Sequence, residues 1–468
     1  MNKRSFKYIL PFTLLFGVML SCKVTKTYNR PDIIATGLYR DGQTNDTTTI
    51  AAMPWQKLFA DTILKSLIQE GLNNNLDLKT AVQRILEAQA TLQQSKAAFY
   101  PSLSGNVGVT RSKQSSAGLN YPAGTIVNTL TTTYQAGLTT SWEADVWGKL
   151  SSTKRAALAG FLQTDAAKRA VQTQLIADIA NNYFTLLALD RQLEITLETL
   201  KNRIKDVETM KELKAGAVVT GAAVVQSEAN RYAAEVSIPD LKRSIRETEN
   251  ALDILLSRPP GPVNRGSLAT QNMAAELQAG IPTQLLTNRP DVQQSEYAFR
   301  AAFENTNVAK TYFYPSFTIT ASGGLSTLQL KDFFVNSIFY NIVAGLTQPI
   351  FNQGLNKARL RTAQAQQQEA LNSFQKTLLV AGQEVSNALY AHQTALEKQD
   401  ARGKQIIALQ KSVEYTQELL RYSSATNYTD VLTSEQNLLA AQLSGVNDRL
   451  QELQAVVNLY RALGGGWH

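Results

Sequence analysis

Histidine and cysteine are almost missing from this chain of 468 residues: there are two histidines, His392 and His468, and one cysteine, Cys22. With one thiol no internal disulfide can form, and a metal or catalytic centre built from Cys and His lacks the ligands to assemble. Beyond residue 21 there is no run of 18 uninterrupted apolar residues, so nothing there reads as a transmembrane helix. Any part that crosses a membrane must then do so as strands closed into a barrel, because lipid cannot satisfy open backbone groups. No phosphate-binding loop and no nucleophile–base set stands out, which argues against an enzyme and against a cofactor. Charge of one sign barely prevails. The formal net charge is +8, and Lys3, Arg4 and Lys7 lie in a leader without acids, so its removal leaves +5. The remaining basic residues are dispersed among acids and glutamines, which is a solvated face and not the concentrated patch of a nucleic-acid binder.

What the chain does have is a statement made twice. Phe99-Tyr100-Pro101-Ser102 returns 214 residues later as Phe313-Tyr314-Pro315-Ser316. Gly137-Leu138-Thr139 returns 208 residues later as Gly345-Leu346-Thr347, and Ser227-Glu228-Ala229-Asn230 returns after 207, with one change, as Ser434-Glu435-Gln436-Asn437. Three matches in order at nearly constant spacing mark a duplicated unit. The unit reads as helix, two strands, long helix, shorter helix, and the first copy carries a longer insert near 111–130.

Residues 1–21 have the parts of a secretory signal: a basic start, an apolar stretch from Tyr8 to Leu20, and small Ser21 before Cys22. The apolar stretch is short for a membrane span. The arrangement resembles a bacterial lipoprotein signal, in which Cys22 is acylated and becomes the new N-terminus. Two or three acyl chains, at about 0.8 kcal/mol per buried CH₂, give stable anchoring. An ordinary signal peptide with an incidental cysteine is the alternative.

Four segments alternate with period two. Phe317, Ile319, Ala321, Gly323 and Leu325 share one face of 317–325, opposite Thr318, Thr320, Ser322 and Gly324. Ile338, Tyr340, Ile342, Ala344 and Leu346 share a face. In the first copy Leu103, Val107 and Val109 do so across Gly105, and Tyr134, Ala136, Leu138 and Trp142 do so with Thr140 among them. Such segments suit an outer-membrane barrel, apolar outward and Ser/Thr/Gly inward. An amphipathic hairpin on a soluble core would show the same pattern. Four strands cannot close, since the smallest such barrels need about eight. Eight strands from two chains would be filled by side chains, so an open pore wants three chains or more.

Residues 150–213 hold no proline and one glycine, Gly160, and predict a helical rod of roughly 95 Å. Residues 355–422 do the same, interrupted only by Gly382 and Gly403. Leu193, Leu197, Leu200, Ile204 and Val207 are spaced as a coiled-coil seam, as are Leu371, Phe374, Leu378, Ala381 and Val385. His392 continues the second series and reads as a seam residue, not a ligand. Turn-like stretches at 214–216 and 422–427 lead into returning helices over 220–257 and 428–462, with Pro239 expected to kink the first.

Leu285-Leu286-Thr287-Asn288-Arg289-Pro290-Asp291-Val292 resembles the Leu-Leu-x-x-Arg-Pro-Asp-Val signature of the TolC-type outer-membrane efflux channels. Asn75-Leu76-Asp77-Leu78 looks like its first-copy counterpart. Trp142-Glu143-Ala144-Asp145-Val146-Trp147-Gly148-Lys149 resembles that family's strand-to-helix junction, and Asn458 to Trp467 resembles its C-terminal segment. From about Trp55 onward the chain is similar to this family, and to its lipoprotein branch serving resistance-nodulation-division pumps.

The resemblance implies a fold that is mainly α with a β-barrel part. Three internally duplicated protomers would form a 12-stranded outer-membrane β-barrel continuous with a periplasmic α-helical barrel. It implies a signal peptide over 1–21, a lipidated extended segment over 22–54, a first repeat over 55–260, a linker over 261–284 and a second repeat over 285–468. The implied partners are a homotrimer, a periplasmic adaptor, an inner-membrane pump and outer-membrane lipid. The cargo would be small molecules or metal ions, moved without catalysis or cofactor. Arg289, Pro290, Asp291, Gly148 and Trp467 would be structural residues of the family motifs. Family members usually close at the helical hairpin tips, where Asp430 is the acid on offer, Arg421 and Tyr422 lie across the turn, and Thr433 falls near the usual acidic ring. Asp430 could equally cap or decorate a helix start. A channel for type I protein export shares the architecture, and a structural coiled-coil periplasmic lipoprotein would explain the rods but not the four alternating segments.

Overall fold

The computed structural model describes residues 24–32, 37–40, 47–118, 122, 128–273, 278–422 and 428–467. The principal helices are α1 (Thr62–Asn74), α2 (Leu76–Ala97), α3 (Lys149–Ala215), α4 (Gly221–Leu256), α5 (Pro290–Thr311), α6 (Leu355–Tyr422) and α7 (Tyr428–Ala462). The strands are β1 (Ser102–Lys113), β2 (Leu130–Ala144), β3 (Ser316–Thr327) and β4 (Ile338–Thr347). The order α2-β1-β2-α3-α4 is repeated as α5-β3-β4-α6-α7. Helix α4 runs unbroken through Pro239. None of the described helices is long and apolar enough to cross a membrane.

The chain divides into two compact units. One comprises the described part of Met1–Asp32, with Ile85–Gln163 and Ser295–Ser373, and holds the sheet. Its four strands lie in the order β1-β2-β3-β4, each pair antiparallel. The central pairing, β2 with β3, joins strands from different copies of the repeat, with Trp142 opposite Ile319 and Leu138 opposite Gly323. Residues directly opposite in an antiparallel pair point to the same side. Val107 faces Ala136, Ala136 faces Leu325, and Leu325 faces Ile338, so all four apolar series fall on one face of the sheet. That face is open to solvent in the single chain, with Val107 87% exposed and Ile342 69% exposed. The other face carries Ser104, Thr139, Ser322 and Asn341. Among the described residues, the outer edges of β1 and β4 have no partner strand.

The second unit, Ile33–Arg84, Thr164–Gln294 and Phe374–His468, holds the main apolar core. Leu64 and Ile68 of α1 pack with Ile179, Tyr183 and Phe184 of α3, Leu252 of α4, Phe374 and Val385 of α6, and Leu453 and Leu459 of α7. Asp61 caps α1 through the amide of Ile63 at 2.8 Å and also accepts the Tyr183 hydroxyl at 2.6 Å, which ties the helix start to α3. The seam expected on α6 is buried at Phe374, Leu378, Ala381 and Val385. The seam expected on α3 is buried only at Val207: Leu197 and Ile204 are exposed, and Ile195 and Met210, outside that series, are buried. A small separate cluster, Met210, Val224, Tyr428, Val431 and Leu432, holds the hairpin ends together.

Candidate functional site

Three clusters and the hairpin ends contain the residues singled out above. Arg289 directly precedes α5, which opens with Pro290, whose fixed φ and missing N–H suit a first helical position. Arg289 is 4% exposed. It donates to both oxygens of Asp291 at 2.9 and 2.6 Å, to Glu384 of α6 at 2.7 Å and to the Ala462 carbonyl at the end of α7 at 2.9 Å. Burial opposes the charge on Arg289, but the Asp291 and Glu384 carboxylates outweigh it and hold the group more firmly protonated. Burial likewise works against the Asp291 anion, yet Arg289 brings its carboxyl below the ordinary range. One guanidinium thus ties α5, α6 and the C-terminal segment together.

The C-terminal segment is fitted to the same region. Gly464 adopts φ +88°, and a Cβ there would lie 2.3 Å from the Asn288 carbonyl oxygen. The Trp467 indole N–H donates to that carbonyl at 2.9 Å, and Arg169 of α3 stacks over its ring at 4.6 Å. The Tyr460 hydroxyl donates to the Met53 carbonyl at 2.6 Å.

The β2–α3 junction lies in the sheet-bearing unit. Gly148 adopts φ +76° immediately before α3, and a Cβ there would meet Thr25 at 3.1 Å. Asp145 accepts the amides of Leu150 and Ser151 at 2.8 and 2.9 Å and so caps α3. Trp142 and Trp147 donate to the Phe99 and Pro315 carbonyls at 3.0 and 2.7 Å. The two Phe-Tyr-Pro-Ser repeats therefore meet the two tryptophans of one junction. The N-terminal segment is held in this unit too: Arg30 pairs with Glu296, and Tyr28 packs edge-on against Phe299 and Phe303.

At the hairpin ends, Arg421 and Tyr422 form the last turn of α6, and Tyr422 is 86% exposed. Asp430 stands in the first turn of α7 and is exposed, and the Thr433 hydroxyl donates to the Thr429 carbonyl at 2.8 Å. Residues 423–427 and Cys22 lie outside the described residues. Of the four residues named for this end, Arg421 lines a cavity of about 520 Å³ between α3, α6 and α7. Its walls also carry Arg203, Asp206, Gln417, Tyr428 and Glu435. The Asp206 and Glu435 carboxyls thus line one cavity from α3 and α7. Gln417 donates to Glu435 at 2.9 Å, and Arg203 donates to the Asn230 carbonyl. Burial and the neighbouring Asp206 push the Glu435 carboxyl up to about 7. Sequence reading passed over this pair, because a lone acid in a polar helix looks like a solvated one. Glu435 does sit in the repeated Ser-Glu-x-Asn element, the one signal that could have drawn attention to it.

The family model for outer membrane efflux proteins matches residues 67–258 and 281–465. The chain belongs to the outer membrane efflux protein family. It is 29% identical over 415 residues to a probable outer membrane lipoprotein, SilC, of Salmonella typhimurium, covering 88% of each chain. It is also 29% identical over 474 residues to the cation efflux system protein CusC of Escherichia coli O6:H1, covering 98% of each. The solved CusC channel superposes with a TM-score of 0.83 at 26% identity, over 95% of this chain and 100% of that one. The open-state MtrE outer membrane channel of Neisseria gonorrhoeae gives 0.83 at 26% identity, over 95% and 99%. The protein is thus an outer-membrane channel protein and not an enzyme. Its protomer has the family's fold, a strand-bearing part for the barrel and long helices for the helical barrel. Among the described residues no group of three or more His, Cys, Asp or Glu is placed to hold a metal ion.

Proposed function

We propose that this protein is the exit channel of a tripartite efflux system, a passive conduit from a periplasmic adaptor and an inner-membrane resistance-nodulation-division pump to the exterior. The observation that carries the reading is the sheet: four strands, every apolar series on one face, and two free edges. An open edge is not tolerated in lipid, so the edges of β1 and β4 pair with those of neighbouring copies. Three copies give 12 strands, and their long helices supply a periplasmic tunnel. Cys22 carries the lipid anchor. The layout of signal 1–21, extended segment 22–54, repeats 55–260 and 285–468 and linker 261–284 accompanies this reading.

The cargo is of the class that the relatives' names state, cations or small toxic organic molecules such as toluene. The gate lies at the hairpin ends, where Asp430 sets the field, with Arg421, Tyr422 and Thr433 around it. Three symmetric carboxylates in a constriction concentrate negative potential and favour cations. Planar-bilayer recording tests the reading. The purified protein is expected to give discrete conductance steps, and Asp430→Ala to raise conductance or weaken cation selectivity. A protein that passes no ions contradicts the channel; an unchanged Asp430→Ala conductance and selectivity contradicts that gate.

A further inference from the structure

We propose that the helix-side end of the sheet carries a seat for the phosphodiester headgroup of an anionic phospholipid, built by Lys96 and Lys154 around Phe99, Tyr100 and Trp142. The proposal rests on the reading of the sheet as the lipid-facing part of a channel, and it deepens that reading by naming a lipid class. All four strands meet their helices at one end. Strands β1 and β3 begin there, after α2 and α5, and β2 and β4 finish there, before α3 and α6. With the long helices in the periplasm, this end lies at the inner boundary of the outer membrane, where acyl chains give way to headgroups and water.

The residues at that boundary suit it. Trp142 belongs to the apolar series of β2, opposite Ile319, and its indole N–H donates to the Phe99 carbonyl at 3.0 Å. Phe99 is thereby fixed beside the apolar face. The Lys154 ammonium of α3 lies over the Phe99 ring, 5.2 Å from its centre. Lys96 stands in the last turn of α2, three residues before Phe99, and both lysines are exposed. Tyr100 follows, 76% exposed. Tryptophan and tyrosine rings gather at the headgroup level because one part of each is apolar and one part polar. Lysine stems lie along apolar surface there and lift the ammonium into the headgroups.

Charge decides the lipid class. The acids of this end are engaged elsewhere: Glu143 pairs with Lys149 at 3.0 Å, Glu304 pairs with Arg155 at 2.7 Å, and Asp145 caps α3 through the Leu150 and Ser151 amides. Among the described residues neither Lys96 nor Lys154 lies at ion-pair distance from a carboxylate. A phosphodiester supplies the missing anion while its acyl chains run along the apolar face. A zwitterionic lipid brings its own cation beside the phosphate and so competes with the lysines; phosphatidylglycerol brings none. The attraction of a basic residue for anionic headgroups is a surface effect, so salt weakens it.

Titration of the full-length protein in an uncharged detergent with phosphatidylglycerol or phosphatidylcholine tests the seat, with bound lipid counted by native mass spectrometry and read as the affinity of the first lipid per protomer. Phosphatidylglycerol is expected to bind on the order of tenfold tighter than phosphatidylcholine. Lys154→Gln and Lys96→Gln are each expected to weaken phosphatidylglycerol about fivefold and to leave phosphatidylcholine unchanged. Lys154→Arg, which keeps a cation over the ring, is expected to retain the preference. Lys113→Gln removes the same charge from the opposite end of β1, across from Leu130, and is expected to change nothing. Equal affinity for the two lipids overturns the proposal. So does an equal loss in Lys113→Gln, which would make the preference a matter of net charge. A protein that shows the preference but conducts no ions contradicts the channel reading and leaves the seat standing; a conducting protein without the preference does the reverse.

Discussion

Gly137 and Gly324 face each other across the β2–β3 pairing, so closely that a Cβ on Gly324 would lie 2.5 Å from the Gly137 Cα and 2.2 Å from the Ala136 carbonyl oxygen. This is where the two copies of the repeat are sewn into one sheet, and the strands approach with no room for a side chain. Backbone atoms, unlike a flexible side chain, cannot step aside. Gly324→Ala is expected to cost about 3 kcal/mol, at the upper end of overpacking penalties. The check is the yield of assembled protein extracted from outer membranes beside wild type; undiminished yield contradicts the close pairing.

The sheet's two faces make a sharper contrast. Ile342 lies on the apolar face, and its chain neighbour Asn341 on the other. A lysine facing lipid near the bilayer centre costs about 2–4 kcal/mol, whereas a lumen-facing one is tolerated. Ile342→Lys is expected to lower the denaturation midpoint of the inserted protein, and Asn341→Lys to leave it near wild type. Equal sensitivity at both positions would contradict the assignment of faces.

Arg289 holds two carboxylates and one carbonyl from a buried position. Removing it leaves Asp291 and Glu384 without their cation, a loss of about 3–5 kcal/mol for a broken buried pair. Arg289→Ala should unfold at much lower denaturant concentration. Arg289→Lys should recover only part of the difference, because an ammonium cannot reproduce the forked contact with Asp291. Full recovery by lysine would show that charge alone matters.

The rods and strands were legible because their signals are local. An unbroken stretch without proline predicts α3 and α6 to within a residue or two, and period-two alternation finds all four strands. The pairing of β2 with β3 had no local signal, since nothing in Leu138 names Gly323 as its neighbour. On α3 the spacing suggested a seam from Leu193 to Val207, of which the protomer buries Val207 while exposing Leu197 and Ile204 and burying Ile195 and Met210. Apolar residues occupy more than one face of that helix, and periodicity cannot say which face meets the chain's own core. At the turn after α3 the left-handed residue is Ala217, one past the turn-like stretch 214–216. The Arg-Pro-Asp signature was recognised as a motif, but its grip on Glu384 and Ala462 required the fold. That Asp206 and Glu435 line one cavity stayed hidden because 229 residues separate them.

The central claim is that one chain's sheet is a fragment completed only by sister chains. Native mass spectrometry of the full-length protein released from detergent micelles tests it most directly. The expected species is three protomers, each near 51.4 kDa before processing and lipidation. A folded, membrane-extracted protein that flies as a single protomer would contradict the account.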